Sequence, residues 1–208
     1  MSQPCNADCD LAQPGAVDEE LGEFWVGAPF KIRQQHNLSA FERNRLFLNV
    51  AGGDFLDVSH IGGADSDGDG RASVAMDVNH DGMLDLVVRQ AGGGPLLIYE
   101  NRFIPQNFLR VTLRGRQSNR LGIGTRLVAT VGDRQITREC YPANTFMSQA
   151  PLVVHFGLAD AAQVKQLVVI WPSGLEQTFT DLAANCHILL TESSDQVQVV
   201  KPGQPIAP

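Results

Sequence analysis

Apolar residues recur at alternate positions in short bursts along this chain, separated by glycine, asparagine and aspartate. That is the pattern of β-strands joined by tight turns. The bursts at 45–50 and 55–59 are divided by Ala51-Gly52-Gly53-Asp54, a turn sequence. Segments 71–76 and 84–89 flank an acidic loop, and 95–100 reads as another strand. Further strands are predicted at 108–114, 124–131, 134–140, 152–156, 166–171, 178–181 and 187–192, with Val131-Gly132-Asp133-Arg134 as a hairpin turn. Only 19–24 and 160–164 have spacing suited to a helical turn, and neither sustains a 3.6-residue period. The chain is therefore expected to be all-β, and short strands at regular spacing argue for a sandwich or barrel.

The ends differ from this pattern. Residues 1–22 are polar, acidic and contain proline and glycine, as expected of a flexible leader. Residues 194–208 finish in a proline-rich run that cannot continue a sheet interior and are expected to form a loose tail. A boundary near Pro105 separates 23–105, which carries the acidic loops, from 106–193, which has none.

The strongest chemical signal is Asp77-Val78-Asn79-His80-Asp81-Gly82-Met83-Leu84-Asp85. Oxygen-bearing side chains at alternate positions of a tight loop can turn inward together. Asp77, Asn79, Asp81 and Asp85, with the Met83 carbonyl, form a candidate ligand set, and Gly82 permits the sharp turn. Hard oxygen donors in this number suit Ca2+ better than magnesium, which demands stricter octahedral order. An EF-hand would place glutamate at the twelfth position and helices on both sides, but here the twelfth residue is Val88 and the flanks read as strands. The competing reading is a solvated acidic turn. His80 is a poor calcium ligand and is expected to face solvent. A second stretch, Asp65-Ser66-Asp67-Gly68-Asp69-Gly70, has Ser73 where a further carboxylate belongs. It is read as a solvated turn or as the supplier of one ligand to the main site.

Composition narrows the function. The formal net charge of -7 argues against non-specific nucleic-acid binding, which needs a basic surface. The 43% hydrophobic content allows a buried core, yet no apolar run approaches the ~20 residues of a membrane span. No signal peptide is visible at the N-terminus. Cys5 and Cys9 are near enough to close a small loop, while Cys140 and Cys186 lie in strand-like segments that could meet across a sheet. Two disulfides are weighed against four free thiols, two of them buried. His155 and Ser148 do not make a hydrolase, because Ser148 lacks the Gly-x-Ser-x-Gly elbow. His155 is expected to bond a backbone group, Trp171 to pack in the core, and Asn119 and Arg120 to order their loop. Asn37-Leu38-Ser39 fits a glycosylation acceptor, which matters only in a secretory setting.

Two resemblances follow from particular residues. Phe41-Glu42-Arg43-Asn44-Arg45-Leu46-Phe47-Leu48-Asn49, Phe55-Leu56-Asp57-Val58-Ser59, Asp69-Gly70-Arg71 and the acidic loop with Leu86-Val87-Val88 resemble an FG-GAP/VCBS repeat. This implies a calcium-binding blade of an integrin-like β-propeller. Ser118-Asn119-Arg120-Leu121-Gly122-Ile123-Gly124, Ser148-Gln149, His155-Phe156-Gly157-Leu158, Trp171-Pro172-Ser173-Gly174 and Glu192 resemble the ASPIC/UnbV domain of cartilage acidic protein and bacterial secreted proteins. Thr125 stands where relatives often have alanine. One clear blade cannot close a propeller, which needs about four to eight.

The resulting expectation is a non-catalytic, calcium-binding, secreted or extracellular module for binding or cell adhesion. Its protein or glycan partner is unidentified, and homo-oligomerisation through exposed blade edges is open. The alternatives are a subunit of a self-assembling extracellular structure and an accessory protein of a biosynthetic pathway.

Overall fold

A computed structural model describes residues 43–50, 52–66, 68, 70–90, 95–145 and 148–201. Every element among them is a strand, as the period-two pattern requires. The leader at 1–22, the segment 19–24, the acceptor Asn37, the residues Cys5, Cys9, Asp67 and Asp69, and the end of the tail lie outside the described residues.

The chain divides into two compact units, Met1–Ala72 with Val88–Leu97, and Ser73–Val87 with Ile98–Pro208. In the first, β1 (Phe47–Val50) and β2 (Asp54–Asp57) form an antiparallel hairpin with Phe47 opposite Asp57. Ser59 ties it down: its hydroxyl accepts from the Leu46 amide and donates to Asp57, whose carboxylate is held below its usual range chiefly by these Ser59 contacts. Asp65 is engaged by Arg43 at 2.9 Å and by the His60 ring at 3.3 Å. Of the second acidic stretch, this residue is therefore committed to the Arg43 and His60 side chains.

β3 (Gly70–Met76), β4 (Asp85–Gln90) and β5 (Leu96–Tyr99) form a three-stranded sheet in that order, and the division between the units passes through these strands.

The second unit carries two four-stranded sheets. One orders β11 (Val153–Ala159), β6 (Asn107–Arg114), β14 (Cys186–Thr191) and β15 (Val197–Val199). The other orders β13 (Glu176–Ala183), β12 (Gln163–Ile170), β7 (Arg126–Val131) and β8 (Arg134–Glu139). A short hairpin, β9 (Ala143–Thr145) with β10 (Ser148–Gln149), links β8 to β11. Neighbouring strands are antiparallel except β6 and β14, which pair in parallel with Val111 opposite Ile188. Both sheets contribute to one core. Leu109, Val111 and Leu113 alternate inward along β6, as do Leu127, Ala129 and Val131 along β7, and Phe156, Leu167, Val169 and Trp171 complete it. Full burial of such side chains contributes about 1.5–3 kcal/mol each.

Two expectations are corrected, and one open alternative is decided. Residues 160–164 do not make a helical turn: β12 begins at Gln163, and Val164 is fully buried. Part of the tail is structured, because β15 pairs with β14 through Leu190↔Val197 and Ile188↔Val199. Cys140 and Cys186 are free thiols, so no bridge joins them. Cys140 is buried in the core, and burial pushes its thiol up to about 11.

Candidate metal centre

The acidic loop joins β3 to β4 and belongs to the unit that holds the two four-stranded sheets. Asp77 and Asp85, its first and last members, are buried, whereas Asn79 and Asp81 are exposed and Met83 is half-buried. The side chains knit the loop to its own backbone, as Asx-type turns do. Asp81 Oδ1 accepts from the Met83 amide at 2.8 Å and Asn79 Oδ1 from the Asp81 amide at 3.1 Å. Asn79 Nδ2 donates to Asp81 Oδ2. Asp85 accepts from the Val78 amide with one oxygen and from the Asn101 amide, after β5, with the other. His80 is exposed, as expected, with φ 64°.

The outer face of β6 and β11 seats this loop. Arg110 Nη1 donates to Asp77 Oδ2 at 2.8 Å, with the two side chains only 18% and 3% exposed. His155, directly across from Arg110 on β11, bonds the Gly82 carbonyl through Nε2 at 2.9 Å. A carbonyl only accepts, so Nε2 carries the proton. Burial lowers the pKa of His155, and the bond to Gly82 partly opposes that shift. Phe108 stacks on the His155 ring and lies under Gly82. Gly82 has φ 90°, and a Cβ there would come within 2.0 Å of a Phe108 ring carbon. Glycine is thus required twice, by the backbone and by the ring beneath it. His187 is Arg110's other cross-strand neighbour. It bonds Thr112, and burial, then the Arg110 charge, lower its pKa to about 4.

One atom in the loop has no partner. Asp77 Oδ1 is buried and accepts no hydrogen bond, although Oδ2 accepts from both Gly82 and Arg110. A buried carboxylate oxygen without a donor is costly, and a bound cation is one way to satisfy it. Among the described residues no three His, Cys, Asp or Glu side chains gather as a cage by themselves. An ion here would also draw on the Asn79 amide and the Met83 carbonyl. The all-oxygen donor set fits a hard cation such as calcium.

Several residues that position the loop carried no sequence signal of that role. Arg110 and Phe108 are far from it in the chain and meet it only through the register of β6 against β11, while Asn101, after β5, reaches Asp85 and Leu84 through its amides. His155 bonds a backbone carbonyl, as the sequence implied, but the partner lies 73 residues away.

Three of the resembling motifs, those at 118–124, 171–174 and Glu192, come together elsewhere in the unit. Glu192 is fully buried, and its Oε2 accepts from the consecutive amides of Arg116, Gln117 and Ser118. Its Oε1 accepts from the hydroxyls of Ser118 and Ser173. The carboxylate thus fastens the loop after β6 to the turn after β12. Asn119 orders that loop by exchanging bonds with Ile123, and Trp171 is buried in the core. Gly122, at φ 67°, lies against Leu113 too closely for a side chain.

No curated protein matches the chain. Residues 115–197 match the family model described as ASPIC and UnbV, so the chain carries an ASPIC/UnbV domain over that stretch.

Proposed function

We propose that this chain is a non-catalytic, calcium-binding module of an extracellular binding or adhesion protein. In this reading an ASPIC/UnbV β-sandwich supports a loop of FG-GAP/VCBS type, and the first unit is a propeller-blade fragment. The observation that carries it is the buried, unpartnered Asp77 Oδ1 within a loop of alternating oxygen donors. Asp77, Asn79, Asp81, Asp85 and the Met83 carbonyl would hold the ion. Its charge would offset the mutual repulsion of three carboxylates and fix the loop against β6 and β11.

Isothermal titration of the intact chain with calcium tests this. The expected result is saturable uptake, absent in Asp81→Ala, whose exposed side chain leaves the core untouched. No uptake at millimolar calcium would remove the reading.

A second reading, a self-assembling subunit, is favoured by the β1–β2 hairpin. Phe47, Leu48, Val50, Phe55 and Leu56 are all exposed there. Exposed apolar strands invite pairing with another chain. A strictly monomeric chain at high concentration in light scattering would count against it.

A further inference from the structure

We infer that the cleft beside the acidic loop is a binding site for a small carboxylate with an apolar body. The cleft has a volume of about 410 Å³, within the range of small-molecule sites. It lies wholly within the second unit, between residues 75–84, the outer face of β6, the end of β8 and the free edge of β11. Its walls are largely apolar, with Ala75, Met76, Leu152 and Val153 among them.

Two arginines, Arg110 and Arg138, line this apolar space. Arg138, exposed on the edge strand β8, pairs with the buried Leu127 of β7, so it leaves the strand on the same face as that core residue. It reaches across to β11, where Nε donates to the His155 carbonyl, and Nη1 donates to Thr137. Among the described residues its Nη2 has no protein acceptor. Arg110 commits Nη1 to Asp77 and likewise keeps Nε and Nη2 without a protein acceptor. Arginine presents donors in a fixed planar fork that matches a carboxylate. The Nε–Nη2 edge of Arg110 is such a fork and Arg138 adds its Nη2 as a further donor, so beside an apolar wall they select an anion with a hydrocarbon tail.

The acids nearby do not cancel this selection. Asp77 is already paired with Arg110, and Glu139 is the neighbour of Arg138 on β8, where successive side chains leave opposite faces of the sheet. His155 and His80 also line the cleft. Unlike the calcium reading, this site depends on the two arginines and the walls, so it stands whether or not the loop holds an ion.

The test titrates the intact chain with 4-methylpentanoate and, separately, with the amine of the same skeleton. Both are followed through the methyl resonances of Met76, Leu152 and Val153, in millimolar calcium and again in chelator. The carboxylate is expected to saturate and shift these resonances, and the amine to leave them in place. Arg138→Met should weaken binding at least ten-fold. Ala75→Trp, at an exposed lining position, should fill the cleft and do the same, so either variant decides if the other fails to fold. Arg134→Met, on β8 but outside the cleft, should bind as the unaltered chain does. No saturation by the carboxylate in either buffer, equal uptake of the amine, or unchanged affinity in both folded cleft variants would overturn the assignment. Saturation in both buffers supports it, saturation in only one would overturn it because the site would then depend on the ion, and calcium uptake is read independently by titration of the ion.

Discussion

Single carboxylates in this chain have opposite fates, set by how many donors surround them. Burial alone would raise the pKa of Glu192. The Ser173 hydroxyl, the amides of Arg116 and Ser118, and the Ser118 hydroxyl outweigh it and bring the group to about 2, from an ordinary value of 4.5. A folded-state pKa below the unfolded one means that the unfolded chain binds the extra proton as pH falls. The stabilisation from Glu192 is therefore complete above about pH 4.5 and is lost as pH falls towards about 2. Glu192→Gln keeps the shape but removes the charge and turns an NH2 group against donors. It should cost about 2–3 kcal/mol at neutral pH, the scale of hydrogen bonds to a charged group. Chemical denaturation at pH 7 and pH 3 checks this. The gap between the two proteins should narrow at pH 3, and a constant gap would mean that charge is not what the clamp uses. Asp77, by contrast, keeps one oxygen without any donor.

At the scale of elements, strands that alternate cleanly were legible and irregular ones were not. β6 alternates buried and partly exposed positions from Leu109 to Arg114, and its apolar period is plain in the sequence. β12 breaks the period at Lys165-Gln166, between buried Val164 and buried Leu167, so Val164 falls outside the alternation that marks 166–171 as a strand. Asp181, on the facing strand near this break, has φ 52°. β15 was hidden differently: Val197-Gln198-Val199 alternates, but the segment is only three residues long, wholly exposed and next to the proline-rich end, so backbone pairing with β14 is what marks it as a strand. That pairing has a consequence. β15 covers the outer edge of β14, and the Val200 amide adds a bond to the His187 carbonyl. Ending the chain after Asp195 would leave that edge open, a template for pairing with another chain. Such a truncation should lower the melting midpoint by several degrees and cause association in light scattering. A monomer with an unchanged midpoint would show that β15 only decorates the sheet. The metal loop was legible as a donor pattern. Its seat was not, since Arg110 and His155 meet it only through strand register.

For the molecule as a whole, the division into two units makes the effect of calcium specific. Every contact that seats the acidic loop, from Arg110, His155, Phe108 and Asn101, lies within the unit of the two four-stranded sheets. An ion bound in the loop should therefore stabilise that unit through mass action, by about 2.7 kcal/mol at a hundred times its dissociation constant. In a thermal melt this appears as an upward shift of a few degrees, reversed by chelator and smaller with magnesium. Arg110 sharpens the prediction, because it and the ion would both compensate the buried Asp77 carboxylate. Without the ion, Arg110→Met leaves that carboxylate with neither partner, a change worth about 3 kcal/mol for a broken buried pair. With the ion bound, part of that loss is made good, and a repelling charge beside the ion is gone. The calcium-induced shift should thus be larger in Arg110→Met than in the unaltered chain. A smaller or equal shift would mean that Asp77 is held by the arginine for the fold alone and contributes nothing to a cation.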